Sequence, residues 1–426
     1  MASPKVRTIV LVAYLSGDAG RAKCAYLEKV DAAIQAQGYR LLLIDQGGQP
    51  IETTCMVEQI PEGIDAGEYA LTDAMRTAWA SSAVLRSAVE MDAGYFGIDS
   101  ETAARKTLSA AGYIREVLER EDAALCILWH QFNGVSLAVA EHCKAVNLPY
   151  LFAHLGPLPG TIIFEPQGQM AESRICTENE RFLALPVSDD DLTQAQRYLD
   201  HLRETRADRK AQTEDPTITQ AIGECRTKYN HVVFYAGQND LRSGITPNSY
   251  PNKALHSPFL DNTAQGLTEL KGWAQAHHCC VLAKPHPLDR TRKQLLKLHQ
   301  PDSGIQVLEG ANIFECLEAS DVVVTILSTS SYLALIHGKP VVLLGKSLLN
   351  GKGCCYEVDT LEALAPTLDR ALSDGFTEVQ QERWLNHVAQ LIRYYLFAYS
   401  EDAESRIGRG PACAAAHILE SINRPG

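Results

Sequence analysis

Apolar and polar residues follow one another along the chain in a repeating succession of strand patterns and helix patterns. A continuous apolar run at 8–15 predicts a strand buried on both faces, and the amphipathic stretch that follows it to residue 37 predicts a helix. Further strands are predicted at 39–44, 124–129 and 150–153, and helices at 69–89, 101–119 and 135–146. Because strands and helices alternate, we expect a mostly parallel sheet covered by helices.

A charged segment at 188–216 interrupts this succession. Ser188 followed by three aspartates predicts an N-capped surface helix, and the dense charge up to Pro216 predicts a linker. A second series follows, with strands predicted at 231–235, 280–283, 305–308, 322–325 and 340–344 and helices at 263–276, 290–299, 313–318 and 331–337. Three last helical patterns, at 361–372, 379–399 and 412–422, predict helices that carry the chain back over the first series.

The predicted fold class is therefore α/β, with two Rossmann-like doubly wound lobes that face a cleft and C-terminal helices that cross back to the first lobe. The chain has 426 residues. A single core rarely grows past about 300 residues, so the length also favours two lobes. We predict a first lobe at 1–200, a second lobe at 201–378 and the crossing helices at 379–426.

Composition narrows the classes of partner. The 39 Lys and Arg residues against 52 Asp and Glu residues give a net charge of −13, which repels polyanions, so we expect no nucleic acid partner. No stretch approaches the roughly 18 uninterrupted apolar residues of a membrane span, and we expect a cytoplasmic protein. The 12 cysteines include no CxxC spacing, which favours buried reduced thiols over a zinc or other metal site.

Candidate chemistry is expected where strands end, because ligands of open parallel sheets bind beyond the carboxyl ends of the strands. Lys284 and His286 lie in a Lys-Pro-His-Pro turn after one predicted strand, and the prolines stiffen the turn that presents this cation and imidazole. Four hydroxyl residues between another strand and a helix suit an anion: Ser328, Thr329, Ser330 and Ser331. A rigid structural turn and an ordinary helix cap are the alternatives for these two segments.

Two more segments follow predicted strands. Gln238, Asn239 and Asp240 follow the strand at 231–235, where the carboxylate could act as a base, a nucleophile or a ligand, although Asn-Asp is also ordinary in turns. In the first lobe, a loop rich in glycine, proline and polar residues follows the strand at 150–153 and offers these candidates: His154, Gly160, Thr161 and Glu165. His130 has the equivalent position after the preceding strand, as a ligand or as a structural group.

Three common kinds of site lack their motifs. The chain has no GxGxxG after its first strand and no GxxxxGK[ST], which argues against dinucleotide-dependent redox chemistry and against P-loop hydrolysis. It also lacks the GxSxG elbow of Ser-His-Asp hydrolases.

The order of these segments resembles the second lobe of bacterial capsule and lipopolysaccharide glycosyltransferases of the GT-B fold. It consists of a strand ending in KPHP, then ECLEASDVVVT, then STSS before a helix, then HGKPVVLLGKS. With FYAGQNDLRSG, with the HSP at 256–258 and with the loop HLGPLPGTIIFEPQGQ, the chain is most similar to the retaining β-Kdo transferases. That family transfers Kdo from CMP-β-Kdo to a surface polysaccharide or lipid-linked acceptor. The resemblance covers roughly 125–345.

The resemblance implies a role for each candidate residue. Asp240 falls on the nucleophile of a double displacement that retains configuration, and Glu165 falls on the acid/base. Lys284 and His286 are implied to meet the donor's phosphate and the Kdo carboxylate. The residues implied to hold the CMP phosphate are Ser328, Thr329, Ser330 and Ser331, and the donor-binding set also includes Gln238 and Asn239. The residues implied to lie on the acceptor or sugar side are His154, Gly160, Thr161 and His130. The first lobe would then bind the acceptor and the second lobe the donor.

The same resemblance implies the partners. They are the CMP-Kdo donor, with CMP as product, and a glycan acceptor that is free or lipid-linked; no metal or cofactor is required, since CMP has a single phosphate. The expected location is the cytoplasm near the inner face of the inner membrane, by peripheral association. The alternatives are another GT-B transferase (a CDP-polyol phosphotransferase or a nucleoside-diphosphate-sugar transferase), a sugar-nucleotide epimerase, or a sugar-binding protein without turnover.

Overall fold

Two sheets flanked by helices organise the part of the chain that the computed structural model describes, residues 6–65, 69–208, 212 and 214–423. The first lobe contains strands β1 (Arg7–Ala13), β2 (Tyr39–Asp45), β3 (Met56–Gln59), β4 (Ala123–Trp129), β5 (Tyr150–Leu155) and β6 (Thr161–Glu165). Its helices are α1 (Gly17–Gln35), α2 (Glu62–Asp65), α3 (Asp73–Ser81), α4 (Ala83–Phe96), α5 (Ser100–Arg120), α6 (Gly134–Ala145), α7 (Arg174–Thr177), α8 (Asn179–Leu183) and α9 (Asp189–Glu204).

The second lobe repeats this organisation. Its strands are β7 (His231–Ala236), β8 (Cys279–Lys284), β9 (Ile305–Val307), β10 (Val322–Thr325), β11 (Val341–Leu343) and β12 (Tyr356–Glu357). Its helices are α10 (Pro216–Lys228), α11 (Lys253–His256), α12 (Thr263–Ala276), α13 (Lys293–Leu296), α14 (Ile313–Ala319), α15 (Ser330–Ile336) and α16 (Leu364–Asp374). The chain then forms α17 (Glu378–Tyr394), β13 (Phe397–Ala398), α18 (Glu401–Ile407) and α19 (Pro411–Ser421). Short 3-10 turns include Met170–Glu172 and Asp240–Arg242.

The strand order positions the ends of the central strands at the cleft. The first sheet runs β13-β6-β5-β4-β1-β2-β3 and the second β12-β11-β10-β7-β8-β9. In the second sheet β7 pairs with β10 on one side and β8 on the other, all in parallel, so the connections diverge at this point. A crevice forms where connections diverge at the carboxyl ends of parallel strands, and this is where such sheets bind ligands.

The C-terminal segment returns to the first lobe. Phe397 of β13 pairs antiparallel with Ile162 of β6, and Ala414 and Ile418 of α19 pack in the same core as Leu27 of α1. The predicted fold class is therefore confirmed: two doubly wound α/β lobes with a C-terminal crossing, the arrangement of the GT-B fold. Within the described ranges, no helix has both the length and the apolarity needed to cross a bilayer.

Several elements differ from the sequence-based expectation. Residues 161–165, expected in a loop, form β6, because all five are buried between β5 and β13. The helix expected at 290–299 is reduced to α13, and the helix expected at 379–399 ends at Tyr394, before β13. The helix expected at 69–89 is divided at Ser82, whose side chain caps α4. In the expected linker, residues 209–211 and 213 lie outside the described residues, and α10 begins at Pro216, with Asp215 as its cap.

Candidate functional site

A cavity of about 850 Å³ lies between the lobes at the ends of their central strands. The predicted site residues that line it are His130, His154, Gln238, Asn239, His286, Ser328, Thr329 and Ser331. A smaller cavity of about 180 Å³ shares His286, Ser328 and Thr329 with the first and adds Lys284 and Ser330. The structure therefore brings the donor-side candidates together. Asp240, Glu165, Gly160 and Thr161 line neither cavity.

The hydroxyl turn of residues 328–331 connects β10 to α15. The Ser328 hydroxyl donates to Ser330 Oγ at 3.2 Å, and Ser331 Oγ donates to the Ser328 carbonyl oxygen at 2.7 Å. Gln238 Oε1 accepts the Leu327 N–H at 3.3 Å, which ties this turn to the end of β7. The side chain of Gln238 thus shapes the turn; Ser328 and Ser330 both line the small cavity, and Ser328 also lines the large one.

Lys284 ends β8 directly beside the turn that follows β7. The Gly237 N–H donates to the Lys284 carbonyl oxygen at 2.9 Å, and a Cβ on Gly237 would lie 2.6 Å from that oxygen, so the close approach requires glycine. Burial lowers the pKa of Lys284, and the negative charge of Asp208 opposes this only in part. An ammonium group that burial deprives of water is stabilised by a bound anion.

Asp240 does not face the cavity. Its side chain is 1% exposed and accepts the backbone N–H of Thr263 at 2.9 Å and the Thr263 hydroxyl at 2.5 Å. The carboxylate therefore satisfies the first turn of α12, a position that favours negative charge. Burial nevertheless raises its pKa to about 7, against the lowering effect of the Thr263 hydrogen bonds.

Glu165 is also enclosed. It is fully buried in β6, where Ser173 Oγ donates to its Oε2 at 2.8 Å and Arg174 Nε donates to its Oε1 at 3.1 Å. Burial raises the pKa of Glu165, and the charge of Arg174 and the hydrogen bond from Ser173 lower it in part. An acid/base must reach the proton it transfers, and this carboxylate reaches only its own loop in the described conformation.

Gly160 and Thr161 support the C-terminal crossing. The Gly160 carbonyl oxygen accepts the N–H groups of Tyr399 and Ser400 at 2.8 and 3.2 Å. Thr161 is 1% exposed and donates its hydroxyl to the Leu158 carbonyl oxygen at 2.6 Å. Neither residue contacts the site; the sequence pattern that singled them out marks the turn at which β6 meets β13.

The two first-lobe histidines do line the cavity. Burial, followed by the charges of Arg242 and His154, lowers the pKa of His130 to about 3, so its ring is neutral. His130 also has a backbone φ of 74°, in the left-handed region that non-glycine residues rarely adopt. Such conformations are held by the surrounding structure and occur preferentially at functional sites.

The cavity contains cations that the sequence analysis missed: Lys23, Arg242 and Arg290. No Asp or Glu among the described residues lines it. Burial lowers the pKa of Lys23 to about 8, against the opposing charge of Asp45. Arg242 and Arg290 follow strands that the sequence predicts. The rule that ligands bind beyond the carboxyl ends of parallel strands, the strand-end rule, could therefore have indicated them. Lys23 lies within α1 and carries no such signal.

The first-lobe side of the lining also includes four aromatic residues: Tyr14, Tyr95, Phe96 and Trp129. Aromatic rings beside polar groups suit the two faces of a sugar ring. Among the described residues, no group of three or more His, Cys, Asp or Glu is close enough together to hold a metal ion. The site is thus a cationic, partly aromatic cleft in an acidic chain.

Comparison with protein families gives a match within the second lobe. Residues 254–376 match the family model of capsule polysaccharide biosynthesis proteins. The chain is similar to two solved KpsC structures from Thermosulfurimonas dismutans, a β-Kdo 2,7 transferase and a β-Kdo 2,4 transferase, each with 16% identity and a TM-score of 0.42. These comparisons cover 72% and 63% of this chain and 88% and 87% of those chains.

A glycosyltransferase from Rickettsia africae is similar over 99% of this chain and 100% of its own, with 12% identity and a TM-score of 0.41. Curated protein sequences provide no match. Over residues 254–376, the second lobe of this chain therefore carries the sequence pattern of capsule polysaccharide biosynthesis proteins.

Proposed function

We propose that this protein is a glycosyltransferase of capsule polysaccharide synthesis that transfers Kdo from CMP-β-Kdo to a glycan acceptor, free or lipid-linked. The observation that carries the proposal is the large cavity, which combines cations with a hydroxyl turn and, among the described residues, has no carboxylate on its surface. CMP-Kdo carries a phosphate and a carboxylate, and a cationic cleft in a chain of net charge −13 concentrates such a dianion. The family match of the second lobe supports the biosynthetic context.

The donor side of the site suits departure of CMP. When the bond between the anomeric carbon and the phosphate oxygen breaks, negative charge develops on the phosphate and positive character on the sugar. Lys284 and the hydroxyls of Ser328 and Ser330 line one small cavity, where they can stabilise the phosphate. The donor supplies both the sugar and the leaving group, so the proposed reaction needs no cofactor.

We propose a double displacement for the chemical step. A carboxylate oxygen of Asp240 attacks the anomeric carbon while CMP leaves with the bonding electrons; the acceptor hydroxyl then attacks that carbon, releases Asp240 and yields net retention. Since the Asp240 side chain is hydrogen-bonded to Thr263, it has to exchange these hydrogen bonds for contact with the anomeric carbon before the first attack. His154, on the cavity surface, is better placed than Glu165 to accept the acceptor's proton.

Intact-protein mass spectrometry tests this proposal. The protein is mixed with CMP-Kdo generated in the same tube, with and without an acceptor glycan. We expect wild type to gain the mass of one Kdo and Asp240→Asn to gain none. Release of CMP without a protein adduct, with product of inverted configuration, would contradict the double displacement. Turnover of a neutral nucleotide sugar with no acceptor present would instead indicate an epimerase and overturn the transferase proposal.

A further inference from the structure

Arg242 presents a fixed guanidinium group to the large cavity. It lies at the end of the 3-10 turn Asp240–Arg242 in the second lobe, and its side chain is 12% exposed. Two first-lobe residues hold it: Nη1 donates to the Phe132 carbonyl oxygen at 2.8 Å, and the guanidinium carbon lies 3.8 Å from the centre of the Tyr95 ring. A guanidinium held by a hydrogen bond and a stacked ring loses little freedom when it binds a ligand.

Most donors of this guanidinium have no protein acceptor. The nearest carboxylate oxygen, Asp92 Oδ1, is 3.8 Å from Nη1, beyond hydrogen-bonding distance. Asp92 already accepts the Gly134 N–H at 3.0 Å and the Thr107 hydroxyl at 2.9 Å. Among the described residues, Nε and Nη2 of Arg242 donate to no protein atom. A mostly buried cation with unpaired N–H groups gains free energy from an anion that can accept them.

Arg242 and Lys284, the proposed phosphate contact, line different cavities. Lys284 lines the small cavity and Arg242 the large one, while His286, Ser328 and Thr329 lie at the boundary between the two. One ligand that occupies both cavities would therefore meet a lysine at one end and an arginine at the other. The planar fork of arginine matches the two oxygens of a carboxylate, whereas a lysine acts on a phosphate as a point charge.

We propose that Arg242 is the carboxylate receptor of this site and makes it selective for an acidic sugar carried on a nucleotide. Nε and Nη2 donate two parallel hydrogen bonds to the sugar carboxylate, while Tyr95 and Phe132 hold the guanidinium plane. This inference rests on the proposed function insofar as the ligand is a nucleotide sugar. It also changes an expectation from the sequence, because Arg242 replaces Lys284 and His286 as the group that recognises the carboxylate.

Isothermal titration calorimetry on the full chain tests this assignment. The probes are CMP, CMP-Kdo, UDP-glucuronate and UDP-glucose; the last two share a nucleotide and differ by the carboxylate. We expect Arg242→Gln to weaken CMP-Kdo binding by about 10- to 100-fold and CMP binding by less than about 3-fold, as for one charged hydrogen-bonded pair. The affinity of Arg242→Lys for CMP-Kdo should lie between those of wild type and Arg242→Gln, since lysine keeps the charge but lacks the planar fork of donors. Arg115→Gln, an exposed first-lobe arginine, controls for net charge.

Equal weakening of CMP and CMP-Kdo in Arg242→Gln would indicate a structural role and overturn the assignment, and so would unchanged binding of both. The Kdo proposal fails separately. Wild type could fail to bind CMP-Kdo but prefer UDP-glucuronate to UDP-glucose, with Arg242→Gln abolishing that preference. This result would support Arg242 as the carboxylate receptor and contradict Kdo as the sugar of the donor. A wild type that binds UDP-glucose and CMP-Kdo with equal affinity would overturn the receptor.

Discussion

Glu172 Oε1 lies 2.9 Å from His256 Nε2, and this contact joins the loop after β6 in the first lobe to the end of α11 in the second. The His256 side chain is fully buried and that of Glu172 is 11% exposed. Tyr250 and Asn252 of the second lobe also donate to Glu172, at 2.6 and 2.7 Å. One first-lobe carboxylate thus holds three second-lobe side chains and sets how the lobes meet beside the cavity.

Glu172→Gln should destabilise the protein strongly. The change removes the charge and replaces one acceptor oxygen with an NH2 donor, so at least one buried donor loses its acceptor, which costs about 1 to 3 kcal/mol. Glu178→Gln is the matched control, because Glu178 pairs with Arg181 at the surface and such pairs contribute less than about 1 kcal/mol. Urea unfolding at pH 7 measures both variants. Equal losses of stability would show that the Glu172 network does not join the lobes energetically.

Asp240 should make the stability of the protein fall as pH rises. Burial raises its folded pKa to about 7, whereas the ordinary pKa of an aspartate side chain is 3.8. Between these values the folded protein holds a proton that the unfolded chain has lost, so the stabilisation is complete below pH 3.8 and is lost as pH rises through about 7. At about 1.36 kcal/mol per pH unit, the total loss of stability over this interval is at most about 4 kcal/mol.

Asp240→Asn removes this titration, so its free energy of unfolding relative to wild type should increase from pH 4 to pH 8. Urea unfolding at intervals across this range gives the comparison. Asp261→Asn, at an exposed position, should preserve the wild-type slope. Parallel curves for wild type and Asp240→Asn would contradict the raised pKa.

Lys284→Met should weaken CMP binding without weakening the fold. Loss of one charged hydrogen bond to the phosphate corresponds to a rise in Kd of about 10- to 100-fold. Because burial disfavours the charged form of Lys284, a neutral side chain should leave the Tm of the ligand-free protein unchanged or higher. Thermal unfolding with and without CMP measures both effects, and Lys297→Met, at an exposed position, should behave as wild type. A lower Tm without ligand combined with unchanged CMP binding would reverse both expectations.

Binding of CMP-Kdo should weaken above pH 8. Lys23 donates to the Tyr14 carbonyl oxygen at 2.6 Å and lies 5.2 Å from the centre of the Trp129 ring, on the first-lobe wall of the cavity. Burial lowers its pKa to about 8, so the cavity loses one positive charge as pH rises through this value. Calorimetry between pH 7 and 9 should show a decline for wild type and a flatter profile for Lys23→Met. Lys29→Met, on the exposed face of the same helix, should keep the wild-type profile.

The succession of strands and helices could be predicted because each element carries its own periodicity. The strand at 322–325, for example, has the bounds that its apolar run predicts. Strand β6 could not be predicted in this way, because its five residues stand among glycine and proline turn signals. Its outer neighbour β13 lies in the C-terminal segment. Periodicity in one window contains no information about a partner so distant.

In the candidate site, the sequence predicts which residues converge but not where their side chains point. Residues that directly follow parallel strands converge by topology, and His130, His286 and Ser328 do meet at one cleft. The direction in which a side chain turns depends on its local partners. Thr263 draws Asp240 away from the cavity, and Arg174 keeps Glu165 enclosed. Neither partner follows a strand, so the strand-end rule indicates neither of them.

β13, the edge strand beside β6 in the first sheet, is synthesised after every strand of the second sheet. Phe397 and Ala398 cover the edge of β6, whereas the second sheet is complete in sequence once β12 has been made. During synthesis on a ribosome, the N-terminal lobe therefore acquires its last strand after the C-terminal lobe has all of its own. Until residue 398 emerges, β6 is an open edge that another chain can pair with, and chaperone contacts with the nascent protein should concentrate there.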